Sequence, residues 1–139
     1  MKTERTPIKD FIFVRLNSGD DVLEGIQKAV EKEGIKNAVI LQGLGSSVSN
    51  SFHVVGTTDL PPRNDFIKGE GAADLVNING LVINGRVHAH IIFSDTRIAF
   101  GGHLEPGVKV LTFAVITLAE VDTDFANWDS GGKIEDYVK

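Results

Sequence analysis

Only one stretch of this chain carries helical spacing, and almost everything after it reads as strand. Val22, Leu23, Ile26, Ala29 and Val30 recur at three- and four-residue intervals and form one apolar stripe. Asp20, Asp21 and Glu24 load the first turn with the negative charge a helix N-terminus favours, and Ser18 or Asp20 is placed to cap it. Gly34, just past Glu31-Lys32-Glu33, is the natural stop. Apolar and β-branched runs surround this helix: Phe11 to Leu16 before it, then Ala38 to Leu44, Val48 to Val55, Leu75 to Ile83, Val87 to Phe93, Ile98 to Leu104 and Val108 to Val121. Asn84-Gly85 and Pro106-Gly107 mark turns, and Pro61-Pro62 sits in a polar stretch, Thr57 to Lys68, that reads as a loop. One helix cannot cover both faces of a parallel sheet. The expected class is therefore α+β: one main helix packed on a mostly antiparallel, strongly curved sheet of about six to eight strands.

The 139 residues fit a single domain, with a core from about residue 8 to 121 and an acidic tail, 122–139, in which Trp128 and Tyr137 are candidate anchors. A net charge of −5 and a pI near 5.3, with no basic block, oppose contact with a phosphate backbone. The absence of cysteine removes disulfides and thiolate ligands, which fits a reducing cytoplasm. Nothing reads as a signal peptide or a membrane span.

Three of the four histidines fall between residues 88 and 103. His88 and His90 alternate with Ala89, so they share one strand face, roughly 6–7 Å apart. A two-residue turn at Asp95-Thr96 would set His103 directly across from His88 and leave His90 facing Gly101. Three imidazoles on one side of a hairpin can hold a transition metal and keep a position open, the layout of a Lewis-acid site. With nitrogen and oxygen ligands alone, Zn²⁺ is the leading ion, ahead of Ni²⁺, Fe²⁺ or Cu²⁺. Asp74, Glu70, His53 and Arg97 are the candidates for a base beside it, none of them fixed by local geometry. Arg63, in the long loop, is the candidate for meeting an anionic ligand. Gly101-Gly102 is not a phosphate loop, because no helix follows it; close backbone packing or a bulge beside His103 explains it better.

His88-Ala89-His90 followed by Gly101-Gly102-His103-Leu104, with Gly71 to Gly80 upstream and Gly43-Leu44-Gly45 earlier, resembles the PPC domain of plants and prokaryotes over roughly residues 8 to 121. The resemblance implies an α+β fold that assembles as a homotrimer, with the histidines as metal ligands in some members. Among the base candidates the resemblance singles out Asp74, which stands where the family carries an acid. In plants the domain accompanies AT-hooks, so a DNA-associated role is the competing implication. No AT-hook is present here, and Ala72 and Ala73 replace the Arg and Phe of the family's hexapeptide, so partner-binding roles do not carry over. The expectation is a cytoplasmic homotrimer with a metal at His88, His90 and His103, binding a small molecule or performing simple Lewis-acid chemistry.

Overall fold

A computed structural model describes residues 1–137; the last two positions of the acidic tail lie outside the described residues. Strand β1 (Ile8–Asn17) leads into helix α1 (Val22–Glu33), followed by β2 (Ala38–Val55), β3 (Asn64–Ile83), β4 (Arg86–Ser94), β5 (Ala99–Leu104) and β6 (Val110–Val121). A short 3₁₀ turn, Ile134–Asp136, lies in the tail. All pairings are antiparallel, in the order β1-β6-β2-β3-β4-β5. The end of β2 then pairs back onto β5, through Phe52↔Leu104 and His53↔His103, so strands β2 to β5 close into a ring.

One expected break is absent and another is shorter than expected. Ala38–Leu44 and Val48–Val55 form one strand, and β3 begins at Asn64, which shortens the expected 57–68 loop to the segment between Val55 and Asn64. The glycine-serine stretch bends β2 without ending it. Gly45 adopts φ 156°, and a Cβ there would stand 2.2 Å from the Phe113 carbonyl oxygen, so only glycine lets β6 come this close. The register against β3 also slips between Ser47 and Ser49. These irregularities curve β2 enough to serve β6 with its first half and β5 with its last residues.

The helix cap is Asp21, neither Ser18 nor Asp20. Its Oδ1 accepts the Glu24 N–H at 3.1 Å, and its Oδ2 accepts the Gly107 N–H at 2.7 Å. The second bond ties the helix start to the β5–β6 turn, a tertiary contact with no trace in local sequence. Val22, Ile26 and Val30 are almost fully buried against the sheet's inner face, with Ile40, Ile78, Ile116 and Leu118. Inside the closed ring Phe52, Phe93 and Phe100 pack with centroids 5.4–6.0 Å apart.

Candidate metal centre

Strand β4 presents Arg86, His88 and His90 on one face, because every second side chain points the same way. The β4–β5 connection is a four-residue loop, not the expected two-residue turn. Asp95 N–H donates to the Ile98 carbonyl at 3.0 Å, and the Asp95 carboxylate accepts the N–H groups of Arg97 and Ile98 at 2.7 and 2.9 Å. These bonds hold the Asp95 carboxyl below the ordinary range. The register consequently differs by two residues. His103 lies opposite His90, not His88, and Gly101 opposite Ile92. A shift of two preserves the face, so the three imidazoles still converge. Their ring centroids lie 4.8 Å (His88–His103), 5.5 Å (His90–His103) and 5.7 Å (His88–His90) apart.

Ring closure adds a fourth imidazole. His53 on β2 pairs with His103, and the two rings stack at 4.2 Å. His90, His103 and His53 thus form a cross-strand row over β4, β5 and β2. Gly101 and Gly102 make that row possible. A Cβ at Gly101 would lie 1.9 Å from the Ile91 oxygen, and one at Gly102 would lie 2.4 Å from the His53 oxygen. The packing role expected of this pair is therefore met from both sides of β5.

Two carboxylates back the imidazoles. Glu105 shares a strand face with His103, and its Oε1 accepts from His53 Nδ1 at 2.6 Å. His103 Nδ1 is 3.2 Å from the same oxygen, close enough for an ion pair but without hydrogen-bond geometry, and it is a buried nitrogen with no hydrogen-bond partner among the described residues. Ligand atoms of His53, His103 and Glu105 all lie within 4.8 Å of one another. From the far side, His88 Nδ1 donates to Asp129 Oδ2 at 2.7 Å, and Arg86 donates to the same oxygen at 2.7 Å. Burial, followed by repulsion from His88 and His53, holds His90 below the usual histidine pKa. His103 is lowered by burial and then by His53 and His88, with Glu105 opposing. Neutral imidazoles are the form a metal requires. A cavity of about 390 Å³, lined by all four histidines with Val54, Val55 and Gly102, opens in front of them.

The other candidates stand elsewhere. Asp74 pairs with Ser46 and Ser94 and lines a separate cavity with Ala72, Asp95 and Thr96. Its strand position is five residues from Asn79, the residue opposite His90, or roughly 16 Å along β3. Glu70 pairs with Ser49, Arg97 is an exposed loop residue beside Asp95, and Arg63 is bound to Asp65 at 2.9 and 3.2 Å. Glu105 and Asp129 were not among the expected site residues. The His-x-Glu alternation of His103 and Glu105 could have revealed the first; nothing near His88 points to the second.

The profile of the Plants and Prokaryotes Conserved (PCC, or PPC) domain matches residues 4–122. The chain belongs to this family. A metal-containing protein from Archaeoglobus fulgidus shares the PCC fold, with a TM-score of 0.74 and 19% identity over 89% of this chain and 88% of that one. A plant- and prokaryote-conserved protein from Pyrococcus horikoshii matches at TM-score 0.74 and 23% identity, covering 89% and 87%. A protein from Bacteroides thetaiotaomicron, provisionally described as DNA-binding, matches at TM-score 0.71 and 16% identity, covering 86% of each chain. At these identities the likeness establishes the fold. By sequence the chain is 24% identical over 108 residues to the bifunctional protein GlmU of a Synechococcus strain, covering 77% of this chain but only 16% of that protein.

Proposed function

We propose that this PCC-domain protein is a cytoplasmic homotrimer that holds a divalent transition metal, Zn²⁺ first, at His88, His90 and His103 and uses it to bind a small ligand or to perform simple Lewis-acid chemistry. The observation that carries this reading is the arrangement of nitrogens around one cavity. A carboxylate can only accept, so Asp129 and Glu105 fix protons on Nδ1 of His88 and His53 and leave each Nε2 as a lone pair, the arrangement that carboxylates produce behind histidine ligands. His103 Nδ1 is a buried nitrogen in want of a partner. Two imidazoles on one tetrahedral zinc have centroids about 5 Å apart, given Zn–N distances of about 2.0–2.1 Å. The three separations here, 4.8–5.7 Å, lie near that value. Among the described residues the ligand atoms already within 4.8 Å of one another are those of His53, His103 and Glu105, so His88 and His90 must turn inward to join His103 on one ion. Four imidazoles and a carboxylate, with no thiolate, suit a borderline transition ion better than Mg²⁺ or Ca²⁺. When bound, such an ion polarises a ligand at its open position. His53 and Glu105 stand beside His103, where this chain can hold a proton. Asp74, standing apart, is not given a role.

The trimer reading is supported by the sheet face turned away from α1. Phe11, Phe13, Leu44 and Phe113 are exposed there, Phe13 at 72%, and Arg15 lies over the Phe113 ring. An apolar sheet face of this kind is what an association surface requires. A DNA-associated role, the second reading, has the Bacteroides structure's description in its favour and the acidic balance against it.

The test is metal per subunit by elemental analysis, on untagged protein purified without added metal, beside His88→Ala and His103→Ala. Near-stoichiometric zinc or another transition metal in the wild type, lost in both variants, is the expected result. Protein that stays metal-free after soaking in Zn²⁺ would overturn the reading. Tight, steeply salt-dependent binding to A·T-rich duplex would put the DNA role in its place.

A further inference from the structure

The family match ends at residue 122, yet one partner of His88 comes from residue 129. The segment between is built to deliver it. Phe125 is buried in a satellite cluster with Ile83 and Val121, and Trp128 packs edge-on against it at 5.5 Å. Trp128 N–H donates to the Phe125 carbonyl at 3.0 Å, closing a turn in which Asn127 takes φ 64°, a left-handed conformation that asparagine tolerates. The Asp129 carboxylate lands over β4, four-fifths buried. There a single oxygen accepts from both Arg86 and His88 at 2.7 Å. Desolvation opposes the charge on Asp129, but the bonds from Arg86 and His88 outweigh it and hold its carboxyl below the ordinary range.

From this juxtaposition we infer that the C-terminal segment, outside the family domain, is part of the histidine centre. Asp129 is its positioning residue: it keeps the His88 proton on Nδ1, fixes the ring plane and turns Nε2 towards the cavity to receive a divalent transition metal. Arg86 keeps Asp129 in place. The inference rests on the metal-centre reading for its ligand but not for its geometry, so the two can fail separately.

The experiment uses the full chain as wild type, Asp129→Ala, Asp129→Asn and Asp129→Glu. Zn²⁺ affinity is measured by competition with a chromophoric chelator, and the His88 tautomer is read from ¹⁵N chemical shifts of the metal-free protein. Removing a carboxylate behind a histidine ligand typically weakens metal binding about 10–100-fold. That loss is expected for Asp129→Ala, with the His88 Nδ1–H signature gone, a smaller loss for Asn, and recovery in Glu. A merely structural tail contact would lower thermal stability and leave the tautomer unchanged. Wild-type affinity and tautomer in Asp129→Ala overturn the inference. A wild type that takes up no Zn²⁺, but whose Nδ1–H signature disappears in Asp129→Ala, keeps Asp129 as the positioning residue and removes the metal. An unchanged tautomer sinks it either way.

Discussion

Replacing Gly102 with alanine should open the ring that assembles the four histidines. The new Cβ would stand 2.4 Å from the His53 carbonyl oxygen and 2.9 Å from Val54 Cγ1. The oxygen is backbone and cannot rotate aside, so β5 must retreat from β2 by nearly an ångström to restore van der Waals contact. The β2–β5 pairing consists of only two residue pairs, Phe52↔Leu104 and His53↔His103. A retreat of that size breaks about two backbone hydrogen bonds, each worth roughly 0.5–1.5 kcal/mol net. It also loosens fully buried Leu104, so a destabilisation of about 2–4 kcal/mol is expected. Gly131→Ala, where a Cβ meets nothing within 4 Å, is the control and should stay within about 0.5 kcal/mol of wild type. Urea unfolding followed by circular dichroism measures both. The same Gly102→Ala protein, still folded in water, should bind Zn²⁺ more weakly, because His103 moves with β5. A Gly102→Ala midpoint indistinguishable from that of Gly131→Ala would refute this account of how the strand pair gathers the site.

Asp74→Asn should leave Zn²⁺ affinity at the wild-type value in a chelator competition, because that side chain lines a different cavity. His90 and His103 have folded-state pKa values below that of an unfolded histidine, about 6.5, so the unfolded chain binds more protons at acid pH. Their contribution to stability is intact above that pH and is lost as pH falls from it through the folded values. Urea midpoints of metal-free protein at several pH values should show this decline, and a His90→Asn, His103→Asn double variant should flatten it. On the outer sheet face, Phe13→Glu with Phe113→Glu should convert the proposed trimer to monomer in sedimentation velocity with little loss of secondary structure.

Where the chain repeats a local pattern, its structure was readable from the residues alone. The 22–33 helix follows from its apolar spacing and its Gly34 stop, and the strands follow from runs such as Val87 to Phe93. The common face of His88, His90 and His103 was also legible. It survived a wrong register because strand parity repeats every two residues and the four-residue loop moved the pairing by two. The cap moved to Asp21 because the Gly107 amide, eighty-six residues away, binds its second oxygen. The expected break in β2 disappeared because register shifts around Gly45 to Ser49 bend the strand without ending it, and the expected 57–68 loop shrank because β3 begins pairing with β2 at Asn64.

By itself, then, the sequence determined the types of the elements, the absence of thiolate ligands, the acidic field and a row of histidines on one strand face. Each is a property of a residue with its near neighbours, governed by sterics that act within a few positions. Tertiary structure alone decided that β5 closes onto β2, which brings His53 and Glu105 to His103, and that Asp129 reaches back to His88. It also set Asp74 far from the cluster. Those outcomes depend on which sheet edges meet once a curved β2 has buried its core, and strand period carries no record of contacts between segments forty or fifty residues apart.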